Sequence, residues 1–224
     1  MIAVLDYGIG NLRSAQKALM RVGGEARLVT RAKDAIGAHA VVLPGVGAFG
    51  ACATALRSSG LEVVARGAIA SKVPFLGICV GFQLLFESAE ESPGVPGLGV
   101  LSGSVRRLAQ NEKLPQMQWN CLERVGAGSS AMLEGLGESP YVYFVHSYAP
   151  VPEGRDQDTV VATCNYGGRV VAAIERGALW GCQFHPEKSG AVGLQLLSNF
   201  VQFATRPPQR RLEAFEDSAR IGAP

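Results

Sequence analysis

The chain opens on a short apolar run, Ile2–Leu5, breaks at Asp6-Tyr7-Gly8-Ile9-Gly10-Asn11, and then places apolar residues at Leu12, Ala15, Leu19 and Val22. A solid apolar run giving way to a three-to-four spacing predicts a strand followed by a helix, one βα unit. Gly23-Gly24 ends the helix, Ala26–Val29 reads as a second strand, and Ala40–Leu43 as a third that closes on Pro44-Gly45-Val46-Gly47. Fully apolar strands of this kind belong inside a parallel sheet. Helical spacing continues from about residue 50 to 71, after which Pro74–Phe86 carries an apolar strand through Gly-x-Cys-x-Gly into a further helix. Four βα units within roughly the first 90 residues, joined by short connections, predict a parallel sheet with helices on both faces.

From Gly97 the period falls to two. Val100–Val105, Gln116–Asn120 and Tyr141–Tyr148 read as strands with one wet face. Three more strands are expected at about 159–165, 169–175 and 178–184, with hairpin turn residues at Gly167-Gly168. A last amphipathic helix runs from about Ala191 to Phe203 and stops before Pro207-Pro208. The expected class is therefore α/β: a mostly parallel central sheet flanked by helices, with a largely antiparallel second half. The expected organisation is one domain over residues 1–205 and a C-terminal tail, 206–224, forming a surface helix or remaining disordered.

Composition removes several function classes. With 224 residues, 47% apolar, and 21 basic against 19 acidic side chains, the chain can bury a full core and carries no basic surface of the kind nucleic acids require. No apolar run reaches the length of a membrane span and the first residues carry no basic leader, so a cytoplasmic protein without membrane contact is expected. The five cysteines are scattered and include no Cys-x-x-Cys pair, which argues against a disulfide framework. Cys182 and His185 lie three apart with no second close pair to complete four ligands, so neither a metal nor another cofactor is expected.

The candidate chemistry starts at Cys79. Glycines on both sides, Gly77 and Gly81, permit the sharp strand-to-helix turn on which hydrolases present a nucleophile, and the following helix start favours thiolate. A small buried structural cysteine is the competing reading of this stretch taken alone. A nucleophilic cysteine needs a base and a group to orient it. Of the three histidines, His39 lacks polar company, whereas His185 ends a strand in Gln183-Phe184-His185-Pro186-Glu187. Two-residue spacing in extended chain puts His185 and Glu187 on one side, where the carboxylate can orient and charge-stabilise the imidazole. Acyl chemistry also requires an oxyanion hole. The Val80 N–H follows the nucleophile, and the loop ending the third strand offers a second backbone N–H, at Val46 or Gly47.

Gly77-Ile78-Cys79-Val80-Gly81-Phe82-Gln83 together with Phe184-His185-Pro186-Glu187 resembles the class I, triad-type glutamine amidotransferases, whose fold is flavodoxin-like. Further stretches, at Asp6–Leu12, Pro44–Phe49, Pro115–Asn120, His146–Tyr148 and His185–Ser189, are similar to the glutaminase subunits of imidazole glycerol phosphate synthase, in the same order over about residues 1–204. The resemblance implies hydrolysis of glutamine to glutamate and ammonia by a Cys79–His185–Glu187 triad. It implies a heterodimer in which ammonia passes to a separate (β/α)8-barrel cyclase subunit in histidine biosynthesis. Carried over by position, Gln83, Glu91, His146, Ser147 and Tyr148 would hold glutamine, and Asn11, Trp119 and Lys188 would face the partner. Val80 and Phe82 depart from the usual Leu and Met, Gln118 stands where Gly is usual, and the tail is extra. Glutaminase subunits of other synthases, such as that for pyridoxal phosphate, a flavodoxin-like cysteine hydrolase, and an inactive scaffold are the alternative readings.

Overall fold

Ile2–Leu5 (β1) is buried along its whole length and pairs in parallel with Ala26–Val29 (β2) on one side and Ala40–Gly45 (β3) on the other. The structure, a computed structural model, describes residues 1–109, 112–126 and 128–206. Leu12–Arg21 (α1) connects β1 to β2 and buries Ala15, Ala18 and Leu19, the apolar stripe read from the spacing. The run from 50 to 71 divides at Ser59-Gly60-Leu61 into Phe49–Ser58 (α2) and Glu62–Ala70 (α3), which lead into Phe75–Cys79 (β4). Right-handed crossovers that run one way along the sheet from β1 to β2 and the other way from β3 to β4 put α1 on one face and α2 and α3 on the other.

Not every expected unit forms. The link from β2 to β3 holds only a 3₁₀ turn, Ala32–Ala35, with no buried residue, so three of the four expected βα units carry a helix. A segment without an apolar stripe has nothing to hold a helix against the sheet. Beyond β4 lie a one-turn helix, Val80–Gln83 (α4), and Ser88–Ala89 (β5). Val100 and Leu101, expected as strand, instead wrap the segment after β4: their N–H groups both donate to the Leu85 carbonyl, at 2.8 and 2.9 Å. The strand begins later, at Gly103–Arg107 (β6).

Gln116–Cys121 (β7), Glu123–Arg124 (β8), Tyr141–His146 (β9) and Tyr148–Pro152 (β10) follow, with a break at Ser147 inside the stretch expected as one strand. Val160–Asn165 (β11) and Arg169–Arg176 (β12) form the hairpin around Gly167-Gly168, and Leu179–Cys182 (β13) completes the strands. The eight-stranded sheet runs β2-β1-β3-β4-β13-β12-β11-β8, parallel from β2 to β13 and antiparallel beyond. A three-stranded sheet, β10-β6-β5, and the antiparallel pair β7-β9 lie outside it. Gly190–Thr205 (α5) packs beside α1 and lays Phe200 and Phe203 on Trp180 of β13, ring centroids 5.6 and 5.2 Å apart. Of the tail expected at 206–224, residues 207–224 lie outside the described residues.

The turn after β4 fits only without side chains at two places. A Cβ on Gly81 would lie 1.8 Å from the Leu43 carbonyl oxygen, and one on Gly77 2.9 Å from that of Gly81. Gly81→Ala is therefore expected to destabilise the protein by about 3 kcal/mol or more. Gly67→Ala, on the exposed side of α3 with open space around it, should stabilise by ~0.5–1 kcal/mol. Urea unfolding of both variants checks this, and similar midpoints would contradict the close approach.

Candidate active site

The carboxyl edge of the parallel sheet gathers three segments. Gly45 at the end of β3 is in register with Cys79 at the end of β4, and Ile78 with Cys182 at the end of β13. Pairing on both sides of β4 therefore delivers the Pro44–Gly47 loop and the Gln183–Glu187 segment to the same place as the thiol. This is where open α/β sheets form ligand clefts. A cavity of about 610 Å³ lies there, lined by Asn11, Val46, Gly47, Cys79, Val80, Gln83, Glu91, His146, Ser147, Tyr148, His185 and Lys188 among others. Of the expected site residues, Trp119 and Glu187 do not line this cavity, and Glu187 contacts His185, which does.

Cys79 has φ 54° and ψ −113°, a conformation that L residues rarely adopt. The following helix is only one turn long, so the support for thiolate expected from a helix dipole gives way to that of nearby groups. His185 supplies one. Its Nδ1 lies 2.8 Å from Glu187 Oε1, and both side chains are only 2% exposed. Burial alone would lower the His185 pKa. The 2.8 Å hydrogen bond to Glu187, its charge and the neighbouring Cys79 sulfur together outweigh it and push the value up to about 10, which keeps an imidazolium beside the sulfur. Glu187 Oε2 is buried without a hydrogen-bond partner, so the carboxylate is committed to His185.

His146 is the opposite case. Burial lowers its pKa to about 4, and its Nδ1 lies 2.9 Å from the Tyr148 carbonyl. The ring is neutral at neutral pH, with Nδ1–H donating to that carbonyl. Burial pushes the thiols of Cys52 and Cys182 up and that of Cys164 to about 11.

Several expected residues have partners that sequence did not reveal. Glu91 Oε2 accepts the Phe49 N–H at 2.8 Å and so caps α2 across the chain, while still lining the cavity. Gln83 is 4% exposed and donates to the Tyr148 carbonyl and to Gln183 Oε1. His39, read as lacking polar company, has Nδ1 2.7 Å from the N-terminal ammonium group. In the loop after β3, the Pro44 carbonyl accepts from Tyr7 Oη at 2.6 Å and the Val46 carbonyl from Cys52 Sγ at 3.2 Å. Tyr7 and Cys52 were absent from the sequence-derived site. So was Gln183, although it shares the alternation of His185 and Glu187 and its Nε2 lies 3.7 Å from Cys79 Sγ. Ser189 was also missed: its Oγ donates to the His185 carbonyl at 2.6 Å and accepts the Tyr143 N–H at 3.0 Å.

Beside the cavity, β7 and β9 present Met117, Trp119 and Tyr141 to solvent on one face, at 64%, 50% and 55% exposure. Trp119 meets Tyr143 edge-on at 6.2 Å, and Lys188 Nζ lies 5.9 Å from the Tyr143 ring centroid. Gln118 is paired with Phe144 and projects from the other face of the strand pair, away from Trp119. Among the described residues no group of three His, Cys, Asp or Glu side chains is arranged to hold a metal ion, and no helix is long and apolar enough to cross a membrane.

A thiol on a strained turn, an imidazolium held by a buried carboxylate, and backbone N–H groups around a cavity are the parts of covalent amide hydrolysis. Residues 3–203 match the glutamine amidotransferase class-I family. The chain is 48% identical over 206 residues to imidazole glycerol phosphate synthase subunit HisH of Deinococcus radiodurans, an alignment covering 89% of this chain and 92% of the relative. It is 46% identical over 202 residues to the subunit of that name from Methanothermobacter thermautotrophicus, covering 90% and 98%. The chain belongs to the class I glutamine amidotransferases, and within them to the family of these HisH subunits. It is a glutaminase of the cysteine-nucleophile type. Among solved structures it resembles one titled crystal structure of glutamine amidotransferase, with a TM-score of 0.70 at 25% identity and 90% and 98% coverage. The structure of PurLQS from Thermotoga maritima shares the fold, with a TM-score of 0.70 at 20% identity over 90% of this chain and 97% of that one.

The raised His185 pKa sets an expectation for pH. Glutamine hydrolysis should lose kcat/KM on the alkaline side as His185 gives up its proton near pH 10. Glu187→Gln removes one of the groups that raise it, so that limb should move to lower pH while kcat falls by on the order of 10²–10⁴. A pH–rate profile of both proteins, with an unmoved alkaline limb in the variant, would count against the ion pair.

Proposed function

We propose that this chain is the glutaminase subunit of a cytoplasmic imidazole glycerol phosphate synthase, releasing ammonia from glutamine for a (β/α)8-barrel cyclase subunit in histidine biosynthesis. The observation that carries the reading is the 2.8 Å contact of His185 with a buried Glu187 on the segment facing Cys79. Cys79 gives its proton to His185, and the thiolate attacks the side-chain carbonyl carbon of glutamine. Negative charge on the former carbonyl oxygen is received by the Val80 N–H and by an N–H of the Val46–Gly47 stretch. Collapse breaks the C–N bond, His185 protonates the departing ammonia, and a thioester remains. Water, deprotonated by His185, then attacks the thioester, releasing glutamate and restoring the thiol.

Gln83, Glu91, His146, Ser147 and Tyr148 border the cavity and are the proposed glutamine-binding set. Asn11 and Lys188 line it as well, and with Trp119 they are the proposed partner-facing set. The exposed apolar face that Trp119 shares with Met117 and Tyr141 supports that side as the docking surface. The loop after β3 supports a reading of partner control. Tyr7 and Cys52 tie down its Pro44 and Val46 carbonyls, while Gly47 has φ 81°, so a reorientation of one peptide unit changes which group faces the oxyanion.

Cys79→Ala should abolish glutamine-dependent synthesis by the two-subunit complex and leave synthesis from ammonium salts intact. Ammonia release by the chain alone should be slow and should rise by on the order of 10²–10³ with the barrel subunit and its substrate, the effect of gaining one oxyanion donor. Equal rates with and without the partner would refute partner control, and loss of ammonium-dependent synthesis in Cys79→Ala would refute separate sites.

A further inference from the structure

A directed chain of hydrogen bonds runs under the cavity to the nucleophile. His146 Nδ1 and Gln83 Nε2 both approach the Tyr148 carbonyl, each at 2.9 Å. Gln83 Nε2 also donates to Gln183 Oε1 at 3.0 Å, and Gln183 Nε2 donates to Cys79 Sγ at 3.7 Å. Because both acceptors of Gln83 are carbonyl oxygens, its amide nitrogen must face them. That in turn turns the oxygen of Gln183 toward Gln83 and its NH2 toward the sulfur. A flip of Gln83 would set oxygen against oxygen and a flip of Gln183 would set nitrogen against nitrogen, and Gln183 is fully buried, so the orientations are fixed together.

We propose that Gln183 is a further catalytic residue that holds the Cys79 thiolate by donating an N–H to it, and that Gln83 is a positioning residue acting through Gln183. A hydrogen bond to a charged acceptor is stronger than one to the neutral thiol, so the contact favours the state in which the Cys79 proton resides on His185. Three polar groups of one extended segment then serve the same step. Gln183 steadies the sulfur, His185 carries the proton, and Glu187 holds the imidazolium. Gln83 has both amide protons spent inside the protein, and only its oxygen is left to meet glutamine. The inference rests on Cys79 being the nucleophile of the proposed glutaminase.

The test uses the full chain with its barrel subunit and glutamine, and reads ammonia release together with the ultraviolet absorbance of thiolate, taken as the difference from Cys79→Ser. Gln183→Met keeps the volume and removes the donor. It should lower kcat by ~10- to 100-fold with KM within about threefold, and reduce the thiolate absorbance. Gln183→Glu keeps an acceptor for Gln83 but sets an oxygen or a charge against the sulfur, and should be worse than Gln183→Met. Gln83→Met leaves Gln183 in place but unoriented, so it should also lower kcat and absorbance, and the double variant should cost little more than Gln183→Met alone. Unchanged kcat and absorbance in Gln183→Met would overturn the proposal. So would a Gln83→Met variant that raises only KM. If Gln183→Met does not fold, the Gln83→Met readings decide. Glutamine hydrolysis surviving in Cys79→Ser would instead defeat the nucleophile assignment beneath it.

Discussion

The backbone at Cys79 is the constraint on which the rest of the molecule depends. A non-glycine residue at φ 54° and ψ −113° is held at a cost of roughly 1–3 kcal/mol, and persists only when its surroundings leave no alternative. Here they leave none. β4 is paired on both edges, and Gly81 sits so close to the Leu43 carbonyl that no side chain fits between them. Phe82, Leu84, Leu85 and Phe86, just beyond the bend, are all almost completely buried, and this burial offsets the strain many times over at ~1.5–3 kcal/mol per large apolar side chain. The same packing that fixes the turn also aims the sulfur.

That arrangement explains which parts of the molecule were legible from the residues alone. The Gly-x-Cys-x-Gly turn could be read because its geometry excludes side chains locally, and His185 with Glu187 because extended chain puts alternate residues on one side. The parallel half followed from solid apolar runs, and Ala26–Val29 and Ala40–Gly45 fall where they were expected. The helix expected between them failed because Arg31–Ala35 offers the sheet nothing to cover. Val100 and Leu101 mimic a strand, but their N–H groups are claimed by the Leu85 carbonyl. Gln183 lies 104 residues from the sulfur it touches, and Tyr7 lies 37 residues from the loop carbonyl it holds. Contacts of that separation come from sheet order, which no local pattern records. Met117 and Tyr141 acquire meaning in the same way, because only the β7-β9 pairing sets them on one exposed face.

Buried polar groups at the sheet edge form two systems, and both lie beside Cys79. One is ionic, running from Glu187 through His185. The other is neutral, running from the Tyr148 carbonyl through Gln83 and Gln183. A buried carboxylate without compensation would be costly, and Glu187 avoids this by holding an imidazolium rather than by reaching solvent. The amide system adds no net charge, so it can support the sulfur without weakening that pair. The thiols of Cys52 and Cys182 are buried near the same edge, yet burial disfavours their ionised forms and they have no imidazole of their own.

The two histidines of the cavity show how the surroundings, not the residue type, assign the proton. Both are buried, and burial acts on both in the same direction, toward the neutral ring. At His146 the only compensation is a backbone carbonyl, which accepts a proton the neutral ring already has. The His185 charge opposes it further, and the value settles at about 4. At His185 a carboxylate and the sulfur of Cys79 both favour the cation strongly enough to reverse the effect of burial, to about 10. Two such values on either side of neutrality leave one imidazole free to carry a proton and the other fixed as a neutral hydrogen-bond donor. Had both been cationic, each would have lowered the other's pKa. Keeping His146 neutral therefore protects the charge on His185, and the Tyr148 carbonyl that fixes its tautomer belongs to the same hydrogen-bond chain that ends on the sulfur.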